Sequence, residues 1–91
     1  MMTEYIKNLI DPYCNDIKDS QLREEYYESL HLFIEYLEKT NVTMINTSNI
    51  QQVVDNYSIY QQGMQLSPED IKSHQIKLNS FITKYINIIL L

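Results

Sequence analysis

Apolar side chains return every three or four residues over four stretches of this chain, the spacing that lines one face of an α-helix. The first stretch carries Ile6, Leu9, Ile10, Tyr13 and Ile17. Pro12 falls inside it, and because proline lacks a backbone donor and crowds the preceding turn, the pattern predicts a kink or a division into two short helices. The second stretch is the clearest. Asp19-Ser20 supplies an N-cap, and Leu22, Tyr26, Leu30, Phe33 and Leu37 form an inner stripe widened by Tyr27 and Ile34. Arg23, Glu24, Glu25, Glu28, Glu35 and Glu38 keep the opposite face in water as far as Lys39.

Beyond Thr40-Asn41 an extended connector begins, whose Val42, Met44 and Ile45 are expected to tuck under the helices. Asn46, Thr47 and Ser48 then offer successive capping oxygens to a third helix through Ile50, Val53, Val54, Tyr57 and Tyr60. Gly63, the one glycine of the chain, stands where a helix would stop on a left-handed residue. Ser67 as N-cap, Pro68 at the first helical position and Asp70 at N3 start the fourth helix, since each satisfies or avoids an orphan backbone donor. Its inner face is Ile71, Leu78, Phe81, Ile82, Tyr85 and Ile88 or Ile89. One glycine and two prolines leave little room for the tight turns of a β-sandwich. The expected architecture is all-α, a compact four-helix bundle forming a single domain over residues 1–91. That length is near the lower limit for a core unaided by metal or disulfide.

Charge changes the picture because it is uneven. The formal net charge is −5, with nine acids and four bases in residues 1–42 and three of each in residues 43–91. The first half repels a phosphate backbone and attracts a basic surface, while the second half is electrostatically indifferent. A hydrophobic fraction of 44% with 21% charged residues argues for a folded chain. Cys14, alone, forms no internal disulfide, which fits a reducing compartment. Met1-Met2-Thr3-Glu4-Tyr5 has neither the basic region nor the apolar core of a signal peptide, so a cytoplasmic location is expected. The apolar run from Tyr85 to Leu91 is far short of the ~20 residues that span a bilayer. It needs protein to cover it, because at least two of Ile88, Ile89, Leu90 and Leu91 must point away from their own helix's core. Tyr85, Ile88, Ile89, Leu90 and Leu91, with Tyr27 on the second helix, are the candidate protein interface.

The order of Tyr-Leu-Glu-Lys closing the second helix, a capped third helix, and Leu66-Ser67-Pro68 opening a fourth that carries Leu78, Ser80 and Phe81 resembles a known domain. It looks like the N-terminal core-binding domain of tyrosine recombinases and phage integrases, a SAM-like four-helix bundle, over nearly the whole chain. The resemblance implies a phage or mobile-element origin. In that family the domain clamps DNA, while a second, larger domain cleaves it with an Arg, His, Arg and Tyr constellation. That second domain is not in this chain, so the resemblance gives none of the eight tyrosines the nucleophile's role. The family's basic phosphate contacts fall on Ser73 and Asn79, both neutral, leaving Lys72, His74, Lys77 and Lys84 as substitutes. Lys72, Ser73, Lys77 and Lys84 are therefore the candidate DNA contacts, and few bases beside so acidic a half supply little counterion release.

Catalytic chemistry is not visible. His31 and His74 lack a second ligand at metal-binding spacing and are expected on the surface or core boundary; Cys14 beside Tyr13 has no activating base in sequence and is expected to be half-buried. Glu24, Glu25 and Glu28 are neighbours on a solvated face, where carboxylates stay ionised rather than sharing a proton. One glycine cannot build a phosphate cradle. Tyr26, Tyr27, Tyr36, Tyr57, Tyr60 and Tyr85 each join a large apolar ring to a polar tip and are expected mostly at the edge of the core.

These features predict a small non-catalytic regulatory protein, without metal or cofactor, that binds another protein: a second copy of itself or a basic phage or host protein. The alternative is a DNA-binding regulator retaining the clamp. A third is an acidic inhibitor that mimics nucleic acid in a basic groove, which requires the acids of the first two helices to line one ridge. Net charge disfavours nucleic acid, and no membrane partner is expected.

Overall fold

Local signals place all four helices of the structure, a computed structural model that describes residues 2–85. In chain order they are α1 (Thr3–Asn15), α2 (Ser20–Lys39), α3 (Ile50–Gly63) and α4 (Pro68–Tyr85), with no strand among the described residues. Contacts divide the chain into two units, Met1–Ile45 with α1 and α2, and Asn46–Leu91 with α3 and α4. The expected Ile88 and Ile89 positions lie outside the described residues.

In the first unit α1 packs on α2. Ile6, Ile10 and Cys14 are buried one turn apart along α1, while Leu9, Tyr13 and Ile17 are half-buried. The expected division at Pro12 does not occur: the proline sits in the last turn of an unbroken helix, where only a few hydrogen bonds follow it. Along α2, Asp19 Oδ1 accepts from the Leu22 N–H at 2.9 Å, as the cap predicts. The inner stripe begins later than expected. Leu30, Phe33, Ile34, Tyr36 and Leu37 are buried, whereas Leu22 and Tyr27 are exposed and Tyr26 is half-buried. Arg23 also departs from the outer face, its Nε donating to the Ile17 carbonyl at 2.9 Å and its guanidinium to that of Lys18 at 3.3 Å. It thereby satisfies carbonyls of the link between α1 and α2.

The far end of this unit is held by backbone. Met2, which precedes α1, offers no side-chain cap; instead the Thr3 N–H donates to the Thr43 carbonyl at 3.0 Å and Thr3 Oγ1 to that of Val42 at 2.7 Å. Met2 and Met44 form an isolated antiparallel bridge beside these bonds. The connector is thus a strap across the start of α1. Ile45 is buried and Val42 half-buried as expected, but Met44 is exposed because pairing in extended form alternates side chains between faces.

In the second unit α3 packs on α4. None of the three capping candidates caps α3, whose N-cap is Asn49 without a side-chain capping bond. Asn46 Oδ1 instead closes a turn ahead of the helix, accepting from Ser48 N–H at 2.9 Å and Asn49 N–H at 3.1 Å, and the Asn46 carbonyl accepts from Ile50 N–H at 3.0 Å. Asn49 Oδ1 reaches back to the Asn46 N–H at 2.8 Å, which locks that turn reciprocally. Buried Ile50, Val53, Val54 and Tyr57 follow at helical spacing. Ser67 caps α4 as predicted, accepting from the Asp70 N–H at 3.1 Å, and Ile71, Leu78, Phe81 and Ile82 are buried along it.

Two helix ends use the same device without glycine. After α2 the Val42 N–H donates to the Leu37 carbonyl at 2.9 Å and the Asn41 N–H to that of Glu38 at 3.3 Å, with Asn41 left-handed at φ 58°. After α3 the Leu66 N–H reaches the Gln61 carbonyl at 3.3 Å and the Gln65 N–H that of Gln62 at 3.1 Å, with Gln65 at φ 65°. Both are Schellman motifs. Gly63, expected to be the left-handed residue, is instead the last residue of α3, and its φ is not positive.

A stability prediction follows from this misplaced freedom. Gln65→Gly relieves a left-handed conformation that costs an ordinary L-residue about 1–2 kcal/mol, partly offset by glycine's larger unfolded entropy. Gly63→Ala adds a Cβ that meets nothing within 4 Å. Each substitution is expected to raise unfolding free energy by roughly 0.5–1 kcal/mol in urea denaturation, with unchanged m-value.

Candidate functional site

At about 100° per residue, Glu24, Glu28, His31, Glu35 and Glu38 fall within a sector of roughly 80° along α2, opposite Leu30, Phe33 and Leu37. The four glutamates are exposed. Between Glu24 and Glu38 this stripe runs about 21 Å along the helix. Its edge carries Tyr27, 44% exposed, whose ring centre lies 4.3 Å from that of His31 at an interplanar angle of 49°. Beside the N-terminal end of the stripe, a hollow of about 290 Å³ between α1 and α2 is lined by residues including Asp11, Arg23, Glu24 and Tyr27. Acid and aromatic surface therefore meet on one solvent-facing strip, a combination of long-range attraction and an apolar anchor.

The candidate interface of the sequence is only partly assembled here. Tyr27 is exposed on the first unit, and Tyr85 on the second is half-buried, its ring centre 5.3 Å from that of Phe81. Ile88, Ile89, Leu90 and Leu91 lie outside the described residues. Only half of the tyrosines sit at the core edge: Tyr13, Tyr26, Tyr60 and Tyr85 are half-buried, Tyr36 and Tyr57 are buried outright, and Tyr5 and Tyr27 are exposed.

The candidate DNA contacts do not form one face. By helical periodicity Ser73, Lys77 and Lys84 share a side of α4, while Lys72 points roughly 120° away. Lys77 is half-buried and its Nζ donates to Ser73 Oγ at 2.6 Å, which occupies both groups within the helix. Lys84 Nζ stands 5.7 Å from the centre of the Tyr85 ring. Lys72 lines hollows between α3 and α4.

Cys14 is 2% exposed, so it is buried rather than half-buried as expected. Burial first, then the Asp11 carboxylate, pushes its thiol above the ordinary value, against a smaller opposing pull from Arg23. Such a thiol is a poor nucleophile near neutral pH. His74 is half-buried, and burial, reinforced by Lys77 and opposed by Asp70, holds its pKa below the ordinary 6.5. No group of three or more His, Cys, Asp and Glu side chains that could hold a metal ion occurs among the described residues. Nor is any described helix long and apolar enough to cross a membrane.

Sequence reasoning missed three buried polar residues, Thr3, Ser29 and Gln61. Gln61 on α3 is 2% exposed, and neither its amide nitrogen nor its amide oxygen has a hydrogen-bond partner. Its place one turn after Tyr57 on the buried face was available as a signal, but polarity argued the other way. Nε2 of His31 is likewise buried and without a partner. Comparison with family models, curated proteins and solved structures finds no match for this chain.

Replacing Gln61 with Met keeps length and removes two buried, unsatisfied polar atoms. Each such atom costs about 1–3 kcal/mol, so Gln61→Met is expected to stabilise the fold by at least ~1 kcal/mol in chemical denaturation. A second expectation concerns pH. Below about 6.5 the unfolded chain binds the His74 proton while the folded chain resists it, so stability is complete above that value and falls as pH drops through the lowered native pKa. The loss of unfolding free energy between pH 7.5 and 5.5 should be smaller in His74→Gln, measured by urea denaturation at both pH values.

Proposed function

We propose that this chain is a non-catalytic binding protein that engages a positively charged surface of another protein through the outer face of α2. The stripe of Glu24, Glu28, Glu35 and Glu38 edged by the exposed Tyr27 carries this conclusion, because it joins charge of one sign to an aromatic anchor on a rigid element. Like-signed carboxylates spaced along a helix raise the encounter rate with a basic partner, and the aromatic ring supplies contact that salt does not screen. The chain's net charge of −5 opposes approach to nucleic acid. The occupation of Ser73 and Lys77 by each other, and the separation of Lys72 from them, further weaken the case for a DNA clamp.

Helix order and the Ser67-Pro68 start of α4 support a likeness to recombinase core-binding domains, and with it a cytoplasmic regulator of phage or mobile-element origin. Within that likeness, acids rather than bases are the dominant surface feature, which suits a protein partner instead of a duplex. Along α2 four carboxylates in about 21 Å is sparser than one charge per ~3.4 Å of a single DNA strand. A basic helix or patch suits this stripe better than a groove built for a duplex.

Affinity capture from the native host, repeated with Glu24→Lys/Glu28→Lys and with Tyr27→Ala, tests the proposal. A partner with a basic surface should be retained by the wild type and lost by roughly tenfold or more with the double reversal, more so at low salt. A gel shift of duplex DNA by the wild type, with affinity falling steeply as salt rises, would count against it and for the clamp.

A further inference from the structure

We infer that the seam between α3 and α4 is a self-association face, which pairs with the same face of a second copy about a two-fold axis. Two hollows, of about 290 Å³ and about 500 Å³, lie along this seam and share Lys72 and Gln75 in their walls. Asp55 on α3 and Lys72 on α4 both line the smaller one. One turn beyond each charge stands an isoleucine largely in water: Ile59 after Asp55, 63% exposed, and Ile76 after Lys72, 56% exposed. The two walls of the smaller hollow therefore carry opposite charges, and its α4 wall adds the exposed branched side chain of Ile76, while Ile59 stands outside both linings.

That pattern selects the occupant. In a two-fold interface a residue i that meets j of the partner copy has its own j met by i, so a face carrying one acid and one base on opposite walls complements itself. Asp55 of each copy can face Lys72 of the other while the two Ile76 side chains fill the space between, which removes large apolar side chains from water. Long-range electrostatics agree. Residues 46–85 hold three acids and three bases, so two copies approaching through this unit meet no net repulsion, whereas residues 1–42 hold nine acids against four bases. A strongly basic or acidic partner gains little at the seam, because Asp55 and Lys72 cancel. This interface shares no residue with the acidic face of α2.

The test uses the full chain, followed by sedimentation velocity and native mass spectrometry from low micromolar to millimolar concentration. The wild type is expected to show a concentration-dependent dimer. Ile76→Glu, Lys72→Asp and Asp55→Lys should each weaken dimerisation by about tenfold or more, because like charges or a buried carboxylate then face each other. Mixing Lys72→Asp with Asp55→Lys should restore a dimer that is predominantly mixed, since only in the mixed pair does a carboxylate of one copy meet an ammonium of the other at both symmetry-related contacts. Circular dichroism establishes that each exposed substitution leaves the helices intact. A wild type that stays monomeric throughout, variants that dimerise as it does, or a mixture that gains no mixed dimer would each overturn the inference. Glu24→Lys/Glu28→Lys should leave the dimer fraction unreduced, so failure here and failure of partner capture are separable.

Discussion

On α2, burial and charge are two sides of one constraint. Leu30, Phe33, Ile34, Tyr36 and Leu37 turn inward, each of the aliphatic ones contributing about 1.5–3 kcal/mol on leaving water. No surface interaction along the helix competes with that sum, since exposed ion pairs contribute ~1 kcal/mol at most. The rotation of the helix is therefore set by its apolar side, and Glu24, Glu28, Glu35 and Glu38 have nowhere to go but outward. The acidic face is a geometrical consequence of the core.

Helix ends add a second layer of definition. A chain with one glycine closes α2 and α3 by Schellman motifs built on Asn41 and Gln65. Asparagine accepts the left-handed region with little penalty, and glutamine does not. At the other ends, Asp19 and Ser67 satisfy orphan donors through side chains, α1 borrows the carbonyls of Val42 and Thr43, and α3 follows a turn locked by Asn46 and Asn49. Arg23 serves the carbonyls of the α1–α2 link. Each such bond contributes on the order of 1 kcal/mol, too little to create a fold but enough to decide where each helix stops and which way the chain leaves it.

The two units differ in what they offer a partner. The first carries all the excess negative charge and an exposed tyrosine beside it; the second is neutral, with opposite charges on facing walls of one seam. A field of one sign acts at a distance and favours a partner of the other sign. Paired opposite charges act only at contact and favour a surface with the matching arrangement. The two proposed contacts, one with a different molecule and one with a copy, thus draw on different residues.

Helix number, the caps at Asp19 and Ser67, and the acidity of the first half were legible in the amino-acid order, because they depend on neighbours within a turn or on formal charge. The stripe of four glutamates was available too, since periodicity alone aligns them, although Glu24 and Glu28 read as merely solvated. What escaped depends on residues distant in sequence. The strap from Thr43 to Thr3, the burial of Gln61 without partners, and the exposure of Leu22 and Met44 were invisible, because local pattern records which side of a helix is apolar but not how far along it another element reaches. The left-handed residue after α3 was misread for a related reason: glycine marks where such a turn is easiest, whereas the length of the helix, decided by packing, set the turn at Gln65. Likewise only the folded seam brought Asp55 and Lys72 onto facing walls, seventeen residues apart in the chain.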